Sequence, residues 1–221
     1  MRATWDALAA GDTERFVGDP SRGREELEAL FGRLGADPRG GTCVEVGCGP
    51  GRMTTALAER FDRVVAVDVS PEMLARARRA AGRDNVEYRL VTGERLDTVE
   101  DGRADTLVCY LVLQHLPSRG HVFAYLGEFA RVLSPAGQAF VQLPVLQRGA
   151  LPRLWRAVRS ALVPLLSRSP ERSAALRGFR LTGPELERGL AAAGLAVTAR
   201  DVGPDAPYRW SRDLFLRLER R

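Results

Sequence analysis

Lysine is absent from this chain of 221 residues: all 33 basic side chains are arginine, set against 28 acidic ones for a net charge of +5. Such a skew reflects coding composition rather than selection for phosphate contacts, so the high isoelectric point alone does not argue for a nucleic-acid partner. Cysteine is scarce. Cys43, Cys48 and Cys109 form no Cys-x-x-Cys pair, and the only histidines are His115 and His121, which implies a reducing compartment and no structural metal. Long apolar runs are missing as well. The longest charge-free segment, 132–147, is interrupted by Pro135, Gly137 and Pro144 and is too short to span a bilayer. Asp6, Asp12 and Glu14 interrupt the N-terminus, which argues against a signal peptide. A soluble, cytoplasmic protein is expected, long enough for one α/β domain with a full core and too short for two of usual size.

What the chain does contain is alternation. Short apolar runs at 42–46, 63–68, 86–91, 104–111 and 137–143 are separated by helical patterns, the signature of βαβ units around a parallel sheet. Ser70 is placed to cap a helix whose first position is Pro71, with Gly82 after its last turn, and Ser118 opens a helix over about 119–133. Thr182-Gly183-Pro184-Glu185 has the spacing of a capping box, Gly194 closes the helix it starts, and strand-like runs at 195–202 and 210–218 follow.

The first strand runs directly into glycines at alternate positions: Val44-Glu45-Val46-Gly47-Cys48-Gly49-Pro50-Gly51-Arg52. Glycine lets the backbone turn tightly and approach a ligand with no Cβ in the way, and Glu45 can accept bonds from polar ligand groups, so a nucleoside cofactor is expected here. The dinucleotide spacing Gly-x-Gly-x-x-Gly is not met, because the third glycine is Gly51 and position 52 is arginine. With Val67-Asp68-Val69-Ser70 ending the next apolar run, the pattern resembles the class I S-adenosylmethionine-dependent methyltransferases of the small-molecule type.

That resemblance implies a Rossmann-like, doubly wound, seven-stranded and mostly parallel sheet, with its last strand inserted antiparallel and helices on both faces. It also implies a single domain: an N-terminal helical flap over 1–38, a cofactor-binding core over 39–144, a helical lid insertion over 145–181 and the rest of the core over 182–221. S-adenosyl-L-methionine would be held by Glu45, Gly47, Cys48, Gly49 and Gly51, by Asp68 at the ribose hydroxyls, and by Val69 and Met73. Relatives usually carry Gly-Asp after the third strand, with the carboxylate on the adenine amino group. Here Thr92, Gly93 and Glu94 stand in that place, so the hydroxyl of Thr92 or the backbone of Gly93 and Glu94 is left to make the contact. Leu111 and Gln114, after the fourth strand, would line the methionine side, with His115 as the candidate general base. Trp5-Asp6-Ala7-Leu8-Ala9 is similar to the flap that closes over the cofactor in several members.

Methyl transfer from a sulfonium is an in-line displacement, so the protein has mainly to bind, orient and exclude water, and no metal is expected. The chain lacks the Asn/Asp-Pro-Pro-aromatic run of base amino methylation, a Pro-Cys nucleophile and the carboxylate cluster of the metal-dependent catechol type. What remains is methylation of O, N or C on a small-molecule acceptor. The segment 150–167 adds Leu151, Leu154, Trp155, Val158, Leu162 and Leu165 at helical spacing, with Arg153, Arg156 and Arg159 on another face. Three readings stay open for it: a lid over the substrate pocket, recognition of an anionic acceptor, or peripheral contact with an anionic membrane that delivers a lipid-like acceptor. A non-catalytic cofactor-binding module of the same fold is the contrasting class.

Overall fold

The computed structural model describes residues 5–6, 20–166, 179–205 and 210–221. Residues 1–4 and 7–19 of the expected flap and the stretch 167–178 of the expected lid therefore lie outside the described residues. Strands β1 (Thr42–Val46), β2 (Arg63–Asp68), β3 (Val86–Leu90), β4 (Ala104–Cys109) and β5 (Leu133–Leu146) form a parallel set in the order β3-β2-β1-β4-β5. A two-residue strand, β6 (Leu181–Thr182), pairs with the end of β5. β8 (Ser211–Arg220) inserts antiparallel between β5 and β7 (Leu195–Asp205), completing a seven-stranded path as expected for the family.

The apolar runs show little alternation because both faces of the sheet are covered. On one face Val44, Val46, Val65 and Val67 pack with helix α4 (Arg119–Val132) and helix α6 (Gly183–Ala192) through Leu126, Phe129, Leu186 and Leu190. On the other, Cys43, Val64, Ala66 and Phe140 meet helices α1 (Gly23–Arg33), α2 (Thr54–Ala58) and α3 (Pro71–Ala80). Within the segment 1–38, α1 is thus a core layer: Leu27, Leu30 and Phe31 are buried, and the Phe31 and Phe140 rings meet edge-on with centroids 4.8 Å apart. Burying a side chain of this size is worth about 1.5–3 kcal/mol. A Cβ at Gly23 would fall 1.9 Å from the Arg52 carbonyl oxygen, so glycine lets α1 start against the turn that follows β1.

The helix starts are those the capping residues specify. The Ser70 hydroxyl accepts from the Met73 N–H at 3.2 Å, Ser118 accepts from His121 at 3.3 Å, and Thr182 and Glu185 form the reciprocal capping box. The long connection between β3 and β4 is pinned by Glu128 of α4, whose carboxylate takes the Leu96 N–H at 2.8 Å and the Arg131 guanidinium at 2.7 Å. Arg131 in turn donates to the carbonyls of Leu96 and Val99. Cys43, Cys48 and Cys109 are buried free thiols.

Candidate cofactor and active site

The site forms at the C-terminal ends of β1, β2 and β4, where a doubly wound sheet opens a crevice. After β1 the chain turns at Gly47, with φ +70°, and the N–H groups of Gly47 and Cys48 both donate to the Val67 carbonyl at 2.8 and 3.0 Å. Any side chain at 47 would strike Val112, whose Cγ2 lies 2.4 Å from the position of a Cβ. Gly49 donates its N–H to Asp68 Oδ2 at 2.9 Å, and Ser70 donates to Oδ1 at 2.9 Å. Each Asp68 oxygen keeps a further lone pair, so the carboxylate can still accept from a pair of hydroxyls. Burial raises the Asp68 pKa, while the N–H groups of Ser70, Gly49 and Val69 pull it back.

Glu45 lies on the α2 side of the sheet, buried, and accepts from the Thr54 hydroxyl at 2.6 Å. Burial pushes its pKa up to about 8; the Thr54 bond and Arg52 lower it, and Asp68 raises it. The next wall follows β4. Leu111 adopts φ +59°, an outlier for a residue of its bulk, and its N–H donates to Gln142 Oε1 at 3.0 Å. Gln142 is fully buried on β5 and donates its amide to Asp213 Oδ1 at 2.7 Å. A short 3-10 turn, Leu113–His115, then presents His115, whose Nε2 lies 3.1 Å from the Gln114 amide nitrogen. The Phe179 N–H donates to the Leu116 carbonyl, and the Arg180 guanidinium donates to that of Gln114, both at 2.7 Å.

These walls enclose one cavity. Glu45, Gly47, Cys48, Gly49, Asp68, Val69, Met73, Leu111, Gln114 and His115 line it. Gly51, Thr92, Gly93 and Glu94 do not. Gly51, at φ +90°, faces α3 instead, where a Cβ would come 3.1 Å from Ala77 Cα. Thr92 turns to Asp97, which accepts from its N–H at 3.1 Å. Trp5 closes over the cavity, its ring edge-on to His115 with centroids 5.0 Å apart, and Asp6 accepts from the Ser70 hydroxyl at 2.6 Å. Arg52, Tyr110 and Tyr125 also line it. Sequence patterning gave no sign of these three. Gln142, which the sequence reading did not single out, stands in the sequence as a polar residue inside an apolar strand.

The described part of helix α5 (Ala150–Leu166) contributes nothing to the cavity lining. Arg156, expected on its basic face, instead donates to Glu185 Oε2 at 2.6 Å and to the Arg180 carbonyl at 3.1 Å, with its guanidinium over the Phe179 ring. Glu185 is held at about 2 because Arg156 and Thr182 outweigh the burial that would raise it.

The glycine turn after β1, the acid ending β2 and the cavity they share form the crevice expected at the strand ends of such an α/β sheet. Residues 44–141 match the family model described as a methyltransferase domain. That match spans under half of the chain and agrees with the resemblance to the class I S-adenosylmethionine-dependent methyltransferases read from the sequence. The chain is 31% identical over 117 residues to a ubiquinone biosynthesis O-methyltransferase of Xanthomonas axonopodis pv. citri (strain 306), covering 52% of this chain and 47% of that one. It is 34% identical over 145 residues to a trans-aconitate 2-methyltransferase of Streptomyces coelicolor, covering 64% and 45%. The chain thus spans about half the length of the curated relatives it matches. The N-methyltransferase NodS of Bradyrhizobium japonicum, solved with S-adenosyl-L-homocysteine, shares the fold with TM-score 0.69 at 18% identity, over 99% of this chain and 97% of that one.

The buried carboxyl of Glu45 sets a pH dependence. Its pKa lies at about 8 in the folded chain against an ordinary 4.5, so between these values the folded state holds a proton that the unfolded state has lost. Stability from this group falls as pH rises through that window. Glu45→Gln is expected to melt at a higher temperature than the parent above pH 8, with the gap closing towards pH 4.5. Thermal melts across this range check it; parallel curves would contradict it.

Proposed function

We propose that this chain transfers a methyl group from S-adenosyl-L-methionine to an oxygen or nitrogen, or to a carbon, of a small-molecule acceptor, without a metal. The observation that carries the reading is the convergence of Asp68, the glycine turn and His115 on one cavity. When bound, S-adenosylmethionine supplies a methyl group on a sulfonium whose departing thioether is neutral. The chain's residues fit such a group. Gly47 leaves its wall flat, Asp68 offers two acceptor positions for the ribose hydroxyls, and the carboxyl of Glu45 lies where a cationic methionine portion draws out its proton. The backbone at Leu111 and Gln114 forms the opposite wall, Trp5 excludes water, and His115 takes a proton from an acceptor O–H or N–H. Among the described residues no group of histidine, cysteine and carboxylate side chains could hold a metal ion. The relatives' names, which cover O-methylation in ubiquinone biosynthesis and methylation of trans-aconitate, support a small-molecule acceptor. The three buried free thiols suit a cytoplasmic enzyme.

A second reading concerns how the acceptor arrives. Leu151, Leu154 and Val158 recur along one stripe of α5 and are 65%, 61% and 46% exposed, beside the exposed Arg148 and Arg153. This combination of apolar stripe and arginine suits an anionic lipid surface that delivers a lipid-like acceptor. No helix among the described residues is long and apolar enough to cross a membrane.

Calorimetric titration with S-adenosylmethionine tests the main reading. The parent chain binds, and Asp68→Ala weakens binding by about 1.5–3 kcal/mol, the scale for a lost charged partner. Absence of binding by the parent would leave a non-catalytic module of this fold. For His115→Ala, turnover on an acceptor found by screening metabolite extract with labelled donor is expected to fall by about 10²–10⁴-fold at unchanged donor affinity. A fall of only a few-fold would reduce His115 to orienting the loop. In flotation assays the chain should rise with vesicles rich in phosphatidylglycerol and not with neutral ones, and Leu154→Asp should stay behind. Binding independent of anionic lipid would rule out the surface-docking reading.

A further inference from the structure

Gln142 stands in β5 between Val141 and Leu143, is fully buried, and projects on the face that carries Phe140 and Phe215. A leucine there would be buried at no polar cost, whereas an amide is tolerated in such a place only when its hydrogen bonds are made. It makes two. The Leu111 N–H donates to its Oε1 at 3.0 Å, and its amide nitrogen donates to Asp213 Oδ1 at 2.7 Å. Strand register brings the second pair together: Gln142 lies opposite Phe215, so Asp213, two residues earlier on β8, is its diagonal neighbour on the same face. The chemistry of the partners fixes the direction of the amide. A backbone N–H can only donate and an ionised carboxylate can only accept, so one orientation satisfies both.

The bond to Leu111 falls where the strand ladder stops. β4 and β5 are paired as far as Cys109 and Val141, and beyond that point the chain leaves the sheet through Leu111 at φ +59°. A left-handed conformation is unfavourable for a residue of this bulk and persists only where its surroundings impose it. With the backbone ladder ended, the Gln142 side chain takes over as acceptor for the Leu111 N–H. The turn at Leu111 then brings Val112 against Gly47 of the facing wall and presents Gln114 and His115 to the cavity. Neither Gln142 nor Asp213 lines the cavity itself.

We infer that Gln142 and Asp213 are positioning residues of the site: together they hold Leu111 in its left-handed conformation, and through it they set where the loop carrying Gln114 and His115 stands against the glycine turn. The inference rests on reading the cavity as the S-adenosylmethionine site and adds what shapes its wall. β5 and β8, which contribute no residue to the cavity lining, thereby set its width.

Calorimetric titration with S-adenosylhomocysteine at neutral pH tests the inference through exchanges within the pair. Gln142→Glu keeps an acceptor for Leu111 but sets two carboxylates against each other, and should bind about tenfold more weakly than the parent. Adding Asp213→Asn to Gln142→Glu restores a donor opposite the acceptor at unchanged side-chain lengths, and affinity should return to within about twofold of the parent's. A cycle with Leu111→Gly supplies a readout that a merely structural role would not move. Gln142→Leu should cost about tenfold in affinity in the parent background and about twofold in the Leu111→Gly background, because glycine takes positive φ without support. The isosteric exchanges carry the test should Gln142→Leu fail to fold. Equal costs in the two backgrounds, or a doubly exchanged chain that stays as weak as Gln142→Glu, overturn the positioning role and leave the reading of the site intact. A parent chain that does not bind S-adenosylhomocysteine overturns both.

Discussion

Two backbone N–H groups aimed at one buried carboxylate hold the centre of this protein together. Asp68 ends β2, takes the N–H of Gly49 from the turn after β1, and takes the N–H of Ser70 at the head of α3. Burying a carboxylate is costly unless it is hydrogen-bonded, and these bonds offset that cost while fixing two loops from different βα units relative to each other. Ser70 extends the arrangement. Its hydroxyl accepts from Met73 to start α3 and donates to Asp6, so the N-terminal turn that places Trp5 over His115 is tied to the same point.

The opposite wall depends on a different device. Leu111 is held in a left-handed conformation that costs about 1–3 kcal/mol, and Gln142, anchored in turn to Asp213, receives its N–H. Arg180 and Phe179 grip the carbonyls of Gln114 and Leu116 from the other side. The loop carrying His115 is therefore braced from β5, β8 and the segment before β6. A wall preorganised in this way suits a reaction in which orientation of two reactants is most of the work.

The fold was legible because its signals are local and repeated. Apolar runs too continuous to alternate marked strands buried on both faces, and Ser70, Ser118 and Thr182 marked helix starts that the structure reproduces. The glycine turn, Asp68 and the segment through His115 were readable because backbone conformation at a strand end leaves a trace in residue type. Other parts left none. Tyr125 and Gln142 reach the site from α4 and β5, across the sheet, and only three-dimensional packing brings them there. The arginine face assigned to α5 looked uniform in sequence. In the structure Arg156 turns inward to Glu185, which also closes the capping box of α6, while Leu151 and Leu154 turn out.

The insertion of β8 between β5 and β7 has a consequence for the order in which the molecule can assemble. β8 comes later in the chain than both of its neighbours, yet it is an interior strand whose Leu214, Leu216 and Leu218 are buried. During synthesis the first five strands can pair as each emerges, but β5 keeps an open edge and β7 has no partner until residues 211–220 appear. A nascent chain halted before them presents a long unpaired β5 edge to its surroundings, the kind of template on which other chains add. The strand furthest in sequence from the glycine turn is thus the one that seals the sheet carrying it.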